Sequence, residues 1–333
     1  MLVVAAGAAN HAQEPELPGR SWKLAAPTSV ADRTTQVNPA AGELDCIRCH
    51  PTIVAEWAAT RHAQAWNEEV FQEELAEIRR PKKCHSCHAP EPLLVLGVDA
   101  PPKVREAARH LGVDCNACHL GPEGAMHGPF GVDSSAHTSV ADELFTSARS
   151  NELCIGCHKK SVGPVLGIAK DFTDAKLGER GYSCVGCHMA ALSRPIATDP
   201  AGTEIYPERL GRSHLLQHPR DPSFLRQSFG REVARTPEGV RVAIHNRAGH
   251  RLPGLADRRL VFTIELVDAA GSALASEERL VSRNEQLPLG AHLDMTLPAL
   301  EAAHAVHILG RHSAESLTET VTFLDEHIEL PRD

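Results

Sequence analysis

All ten cysteines of the 333-residue chain fall into five copies of one pentapeptide, Cys-x-x-Cys-His. CIRCH places Cys46 and Cys49 before His50, CHSCH places Cys84 and Cys87 before His88, and CNACH places Cys115 and Cys118 before His119. CIGCH gives Cys154, Cys157 and His158, and CVGCH gives Cys184, Cys187 and His188. Two thiols on one short turn can add across the two vinyl groups of a haem. The next residue, a histidine, then lies under the iron and ligates it. Structural zinc wants four ligands that close a tetrahedron, usually from paired units. Five units, each followed by His, do not pair. A disulfide framework gives no reason for a His after every second Cys, and a thioredoxin-like pair occurs once rather than five times. The pattern therefore points to five covalently attached haem c groups, with His50, His88, His119, His158 and His188 as proximal ligands.

Each iron has a second axial position, and fifteen of the twenty histidines remain to fill it. A distal imidazole makes a pure electron carrier, whereas an open face permits chemistry. No motif ends in Lys, so the signature of a lysine-ligated, nitrite-reducing haem is absent.

The elements that hold these residues are short. Motifs begin at Cys46, Cys84, Cys115, Cys154 and Cys184, 30–39 residues apart, with little room for long helices between them. Helices are expected over 52–76, with a break near Asn67, and over 101–110 and 139–147. The Gly/Pro-rich stretch 121–131 reads as a loop. Aromatics are only 4% of the chain, so flat cofactors must supply bulk that side chains do not. After about 239 the pattern alternates. VRVAIHN (240–246), RLVFTIELVD (259–268), ALASEERLV (273–281), AVHIL (305–309) and TVTFLDEHIEL (320–330) read as strands, with a hairpin turn at 269–271. The expected fold is a mostly α and irregular multihaem domain over 44–230, followed by a small antiparallel β-sandwich over 231–333. Residues 1–12 resemble the tail of a secretory signal, and the Pro-rich stretch 13–43 reads as an extended leader.

CIRCHPTIVAEWAATRH (46–62) resembles the opening of the multihaem cytochromes related to the tetrahaem cytochrome of ammonia oxidisers and to hydroxylamine oxidoreductase. That opening is a haem motif, then Trp57, Thr60 (where Ser is more usual) and His62. GVDCNACHLGPEGAMH (112–127), RSHLLQHPRDPSFL (212–225) and NRAGHRLPG (246–254) are similar to further segments, the last two to those of members with a C-terminal β domain. The resemblance covers roughly 44–270. It implies His62, His127, His137, His214 and His250 as distal ligands. His110 and His218 are rivals. His304, His307, His312 and His327 read as surface residues of the β region. Arg209, Arg212, Arg220, Arg226, Arg231 and Arg235 are candidate partners for haem propionates.

A formal charge of −9 excludes a nucleic-acid binder that relies on phosphate neutralisation. No apolar run reaches the ~20 residues of a spanning helix. The leading expectation is a pentahaem electron carrier, with no catalytic residue assigned. Its place is the periplasm or cell surface, because haem attachment occurs outside the cytoplasm. Its partners are redox proteins, other multihaem cytochromes or further copies of the chain. Two alternatives stay open. One is an oxidoreductase with an open haem acting on hydroxylamine, nitrite or tetrathionate. The other is a subunit of an extracellular cytochrome polymer or outer-membrane conduit.

Overall fold

The computed structural model describes residues 23, 38–78, 82–132, 134–199, 201–314 and 320–330. The signal remnant expected over 1–12 and most of the leader expected over 13–43 lie outside them. Up to residue 226 the described chain is a succession of short helices and turns: α1 (Pro51–Ala58), α2 (Glu69–Glu77), α3 (Lys82–His88), α4 (Leu93–Leu96), α5 (Cys115–His119), α6 (Glu152–His158), α7 (Ile168–Asp174), α8 (Cys184–His188) and α9 (Pro222–Arg226). Two small ladders interrupt them. β1 (Met126–Gly128) and β2 (Ser139–Ala141) pair in parallel, and β3 (Ala191–Pro195) and β4 (Glu208–Arg212) pair antiparallel.

Every attachment motif forms a tight turn of helix. In α3, α5, α6 and α8 the first Cys, the second Cys three residues on and the His four residues on share one face. Side-chain caps fix two of the starts: Asp114 accepts the Ala117 N–H, and Ser183 accepts the Gly186 N–H. The buried Asp114 also pairs with Arg105 at 2.6 Å.

The expected helix over 52–76 is two helices, α1 and α2, separated by turns over 59–68. The helix expected over 101–110 does not form. Pro101 and Pro102 withhold two amide donors, Val104 bridges Pro90, and Arg105 N–H bonds the Ala89 carbonyl. Only a 3₁₀ turn, Arg109–Leu111, remains there. Over 139–147 the chain gives β2 and a 3₁₀ turn, Glu143–Phe145, whose start Asp142 caps.

From residue 229 the chain is strand-rich. β5 (Phe229–Thr236), β6 (Gly239–Asn246) and β9 (His292–Pro298) form one antiparallel sheet in the order β5-β6-β9. β7 (Arg259–Val267), β8 (Ala273–Val281), β10 (Ala305–Ser313) and β11 (Val321–Glu329) form another in the order β11-β10-β7-β8. The β7–β8 turn falls at 269–271 as expected. Asp268 accepts from Ala270 and Ser272, and Gly271 takes φ +83°. One hydrophobic core draws on both sheets: Phe229, Val242, Ile244 and Met295 from the first, Phe262, Ile264, Val306, Ile308 and Phe323 from the second. The N-terminal region has only a small apolar cluster, around Leu44, Val54, Trp57 and Leu111. No described helix is long and apolar enough to cross a membrane.

A loop from the strand-rich part clasps the helical part. Between β6 and β7, Arg251 meets Asp171 of α7 through its guanidinium (Nε–Oδ2 2.6 Å) and its amide (3.0 Å). Ala256 N–H bonds the Pro164 carbonyl, and Leu255 bridges Val165. A Cβ on Gly249 would lie 3.2 Å from the Phe172 ring.

Candidate haem sites

One continuous cavity of about 2670 Å³ runs through the helical region. A single small-molecule site takes about 300–1,000 Å³, so this one has room for several large ligands. All ten cysteines, the five motif histidines and all of His62, His127, His137, His214 and His250 line it. Arg61, Arg194, Arg209, Arg212, Arg247 and Arg258 also face it. The donor set and the space fit haem c.

The imidazoles are oriented alike. The Nδ1 of His50 bonds the Ile196 carbonyl at 2.8 Å, that of His88 bonds Ala65 at 2.5 Å, that of His119 bonds His127 at 2.7 Å and that of His188 bonds Gln217 at 2.7 Å. His214 does the same to Arg212 at 3.2 Å, and His250 to Arg251 at 2.8 Å. A carbonyl oxygen only accepts, so Nδ1 carries the proton in each ring and Nε2 is left with a bare lone pair. That is the tautomer a metal-binding imidazole adopts when its other nitrogen is held by an outer partner. Burial disfavours the charged form of several cavity imidazoles. It pushes His62 down to about 4, His214 to about 3 and His250 to about 4, and it lowers His88, His119 and His158 as well. Neighbouring imidazoles add to the shift in His62, and His119 and Arg194 add to that in His214.

Three pairs of rings face each other at one spacing. His50 and His137 have centroids 6.4 Å apart, His62 and His158 6.2 Å, and His119 and His214 6.2 Å. Two metal–imidazole bonds of about 2.0–2.1 Å, with about 1.1 Å from each nitrogen to its ring centre, span about 6.2–6.4 Å. His250 and His188 lie near enough for His188 to depress His250. His127 sits beside the third motif. Its Nδ1 bonds Asp142 at 2.7 Å, and its Nε2 lies over Gly121, where a Cβ would approach to 2.2 Å. Against His88 the stacked ring is that of Phe71, at 3.6 Å and 9°.

The rivals differ. His110 is turned outward to Glu43 at 2.7 Å. The Nδ1 of His218 accepts the Arg220 amide at 3.1 Å, so the proton is on Nε2, the wrong tautomer for ligation through that atom. Arg226 and Arg231 engage Glu326, and Arg235 reaches the Ala303 carbonyl, away from the cavity. Arg61 and Arg258 were not singled out from the sequence. Burial lowers both to about 10, Arg220 stands close to each, and both face the cavity.

Thiols of different motifs touch. The thiols of Cys46 and Cys115, of Cys87 and Cys157, and of Cys154 and Cys184 lie within hydrogen-bonding reach of each other, and Cys118 lies close to Cys154; none is joined in a disulfide. The first motif therefore abuts the third, and the fourth abuts the second, third and fifth.

Residues 45–120 match the family model described as Cytochrome c554 and c-prime, and residues 110–163 match that of a doubled CXXCH motif. The chain is a multihaem c-type cytochrome. Among solved structures, this cytochrome is similar to the penta-heme cytochrome c552 from Thermochromatium tepidum, at 17% identity and a TM-score of 0.58. The match covers 89% of this chain and all of that one, and it speaks to the fold. A glycosyl hydrolase family 2 member from Bacteroides cellulosilyticus overlaps 31% of this chain and 13% of its own, at 15% identity and a TM-score of 0.19, which carries no argument. No curated protein matches the cytochrome.

Proposed function

We propose that this cytochrome is an exported pentahaem electron carrier, working in the periplasm or at the cell surface. The observation that carries the reading is the three pairs of cavity-lining imidazole rings whose centroids stand 6.2–6.4 Å apart. His50 with His137, His158 with His62, His119 with His214 and His188 with His250 would hold four irons between two imidazoles each. Bound haem iron supplies one-electron redox chemistry. The protein's part is to fix the ligands through their Nδ1 partners, to line the cavity with arginines for propionates and to set the order of contact. That order is a branched path: the fourth attachment turn meets three others, and the first meets the third. The two C-terminal sheets are read as a β-sandwich whose outer faces dock redox partners or further copies of the chain. The Trp57–Thr60–His62 segment favours kinship with the hydroxylamine oxidoreductase superfamily.

A second reading rests on His88. Phe71 stacks on its ring, and among the described residues no imidazole ring stands at axial spacing from it. A haem held there would offer one face to a small nitrogen or sulfur compound. Pyridine haemochrome quantitation with EPR of the oxidised protein tests both readings. The carrier reading expects five covalent haems, with low-spin signals for the four imidazole pairs and no turnover of hydroxylamine, nitrite or tetrathionate. A high-spin haem that binds one of these and turns it over would replace it with the second reading. Fewer than five haems would overturn the pentahaem assignment.

A further inference from the structure

The outer face of the four-stranded sheet carries a second cluster of metal-ligating side chains, apart from the haem cavity. His307 on β10 pairs directly with Glu265 on β7 and with His327 on β11, so the three stand in one row across three strands. Asp325 lies two residues from His327 and therefore on the same face. The His307 and His327 rings stack at 4.2 Å and 1°. The His307 Nε2 lies 2.8 Å from an Asp325 carboxylate oxygen, and its Nδ1 lies 3.2 Å from Glu265. One ligand atom each from His307, Asp325 and His327 falls within a 4.8 Å circle. The haem cavity is lined by residues up to Arg258 and includes none of these four.

We propose that His307, His327 and Asp325 bind a divalent transition-metal ion of the Zn²⁺ or Cu²⁺ class, with Glu265 as a positioning residue. Two imidazoles and one carboxylate suit borderline metals, and not Ca²⁺ or Mg²⁺, which want oxygen alone. Strand register pre-organises the ligands, since rows of a sheet hold their side chains at fixed spacing without the entropy cost of ordering a loop. Both ring nitrogens of His307 donate to carboxylates, Nε2 to Asp325 and Nδ1 to Glu265. An ion would displace the Nε2 proton, while Glu265 keeps the Nδ1 proton and orients the ring, the carboxylate–histidine–metal arrangement of protein metal sites. His327 and Asp325 are exposed, so the ion exchanges with solvent and keeps coordination positions for water or for a ligand from another molecule.

The test uses the untagged holo-protein with Zn²⁺ alone as the probe, by isothermal titration calorimetry and by anomalous diffraction at the zinc edge. One tight equivalent is expected, with an anomalous peak between His307, Asp325 and His327. His307→Ala and His327→Ala each weaken binding by about tenfold or more, and Glu265→Gln weakens it about 10–100-fold, with haem absorbance unchanged. A second ring pair on the strands, His245 and His292 at 5.1 Å, supplies the control: His292→Ala leaves the affinity as it was. No saturable binding, a peak elsewhere, or affinity lost in His292→Ala but retained in His307→Ala and His327→Ala would overturn the site.

Discussion

Thr60 shows how one side chain places the imidazole of His62, a proposed ligand. The Trp57 indole N–H donates to the Val113 carbonyl at 2.8 Å, which fixes the end of α1. The Thr60 hydroxyl donates to the Trp57 carbonyl at 2.7 Å and accepts the Ala63 amide at 3.2 Å. Between them the turn aims His62 at His158. Gly112 closes the other side: it takes φ +62°, and a Cβ there would lie 2.4 Å from the His62 carbonyl oxygen. Thr60 is 1% exposed, so Thr60→Val strands the Ala63 amide in the interior, while the Trp57 carbonyl keeps only the Thr60 and Ala59 amides. It should cost about 1–3 kcal/mol in chemical denaturation and shift the potential of a single haem in a redox titration. Thr60→Ser keeps the hydroxyl and should restore both. A valine variant as stable as the parent would sink this account. The Trp-x-x-Thr-x-His spacing was legible in the sequence, but its partner was not. His158 is ninety-six residues further on, and local pattern carries no information about which motif a ligand will meet.

At the scale of elements, the contact between α7 and the β6–β7 loop joins the two parts of the molecule. Burial alone would raise the Asp171 carboxyl, but the Arg251 guanidinium and amide outweigh it and hold it below the usual carboxylate range. A depressed folded value means that the stabilisation is present above the unfolded value of about 3.9 and fades as pH falls through the lower folded value. Asp171→Asn should therefore cost about 1–3 kcal/mol at neutral pH and flatten the acid limb of the stability curve below about pH 4. Denaturant titrations across pH 3–7 measure both, and parallel curves for parent and variant would dissolve the argument. Alternation revealed β6, β7, β10 and β11 because each buries one face or more against a protein core, and β8 because its half-buried Ala275 and Glu277 alternate with exposed residues on the way to the buried Val281. β5 escaped notice because Gly230, Arg231 and Glu232 break its rhythm, and β9 because its run of Leu293, Met295 and Leu297 is short and closed by Pro298. The β region also hides His312, which the sequence suggests is on the surface and which is 1% exposed on the inner side of β10. The expected helices at 101–110 and 139–147 failed for a different reason. Around a cofactor cavity, short helices face ligand rather than one another, and propensity there has no periodic apolar stripe to correct it.

Across the whole molecule, the attachment turns follow one order along the chain and another in space. The first meets the third, and the fourth meets the second, third and fifth. The histidines proposed as distal ligands reinforce this weave. His62 follows the first motif but faces the fourth, and His137 follows the third but faces the first. The His214 amide is held by Glu56 of α1 at 2.7 Å, and Glu56 is in turn paired with Arg194 at 2.6 Å. His250 extends the weave to the strand-rich part, since its loop hangs between β6 and β7 and enters the cavity beside His188. Its Nδ1 is held by the Arg251 carbonyl, and Arg251 is locked to Asp171, so ring and junction are set by the same residue pair. His250→Ala should therefore convert one haem, that on His188, to high spin and shift its potential alone, while the other four keep their signals in EPR. Because the Arg251–Asp171 contact survives the substitution, the fold should persist and haem content should stay at five. Unchanged EPR and potentials would leave His250 as a loop residue. Loss of several haems together would show that the strands stabilise the cavity as a whole rather than through one imidazole.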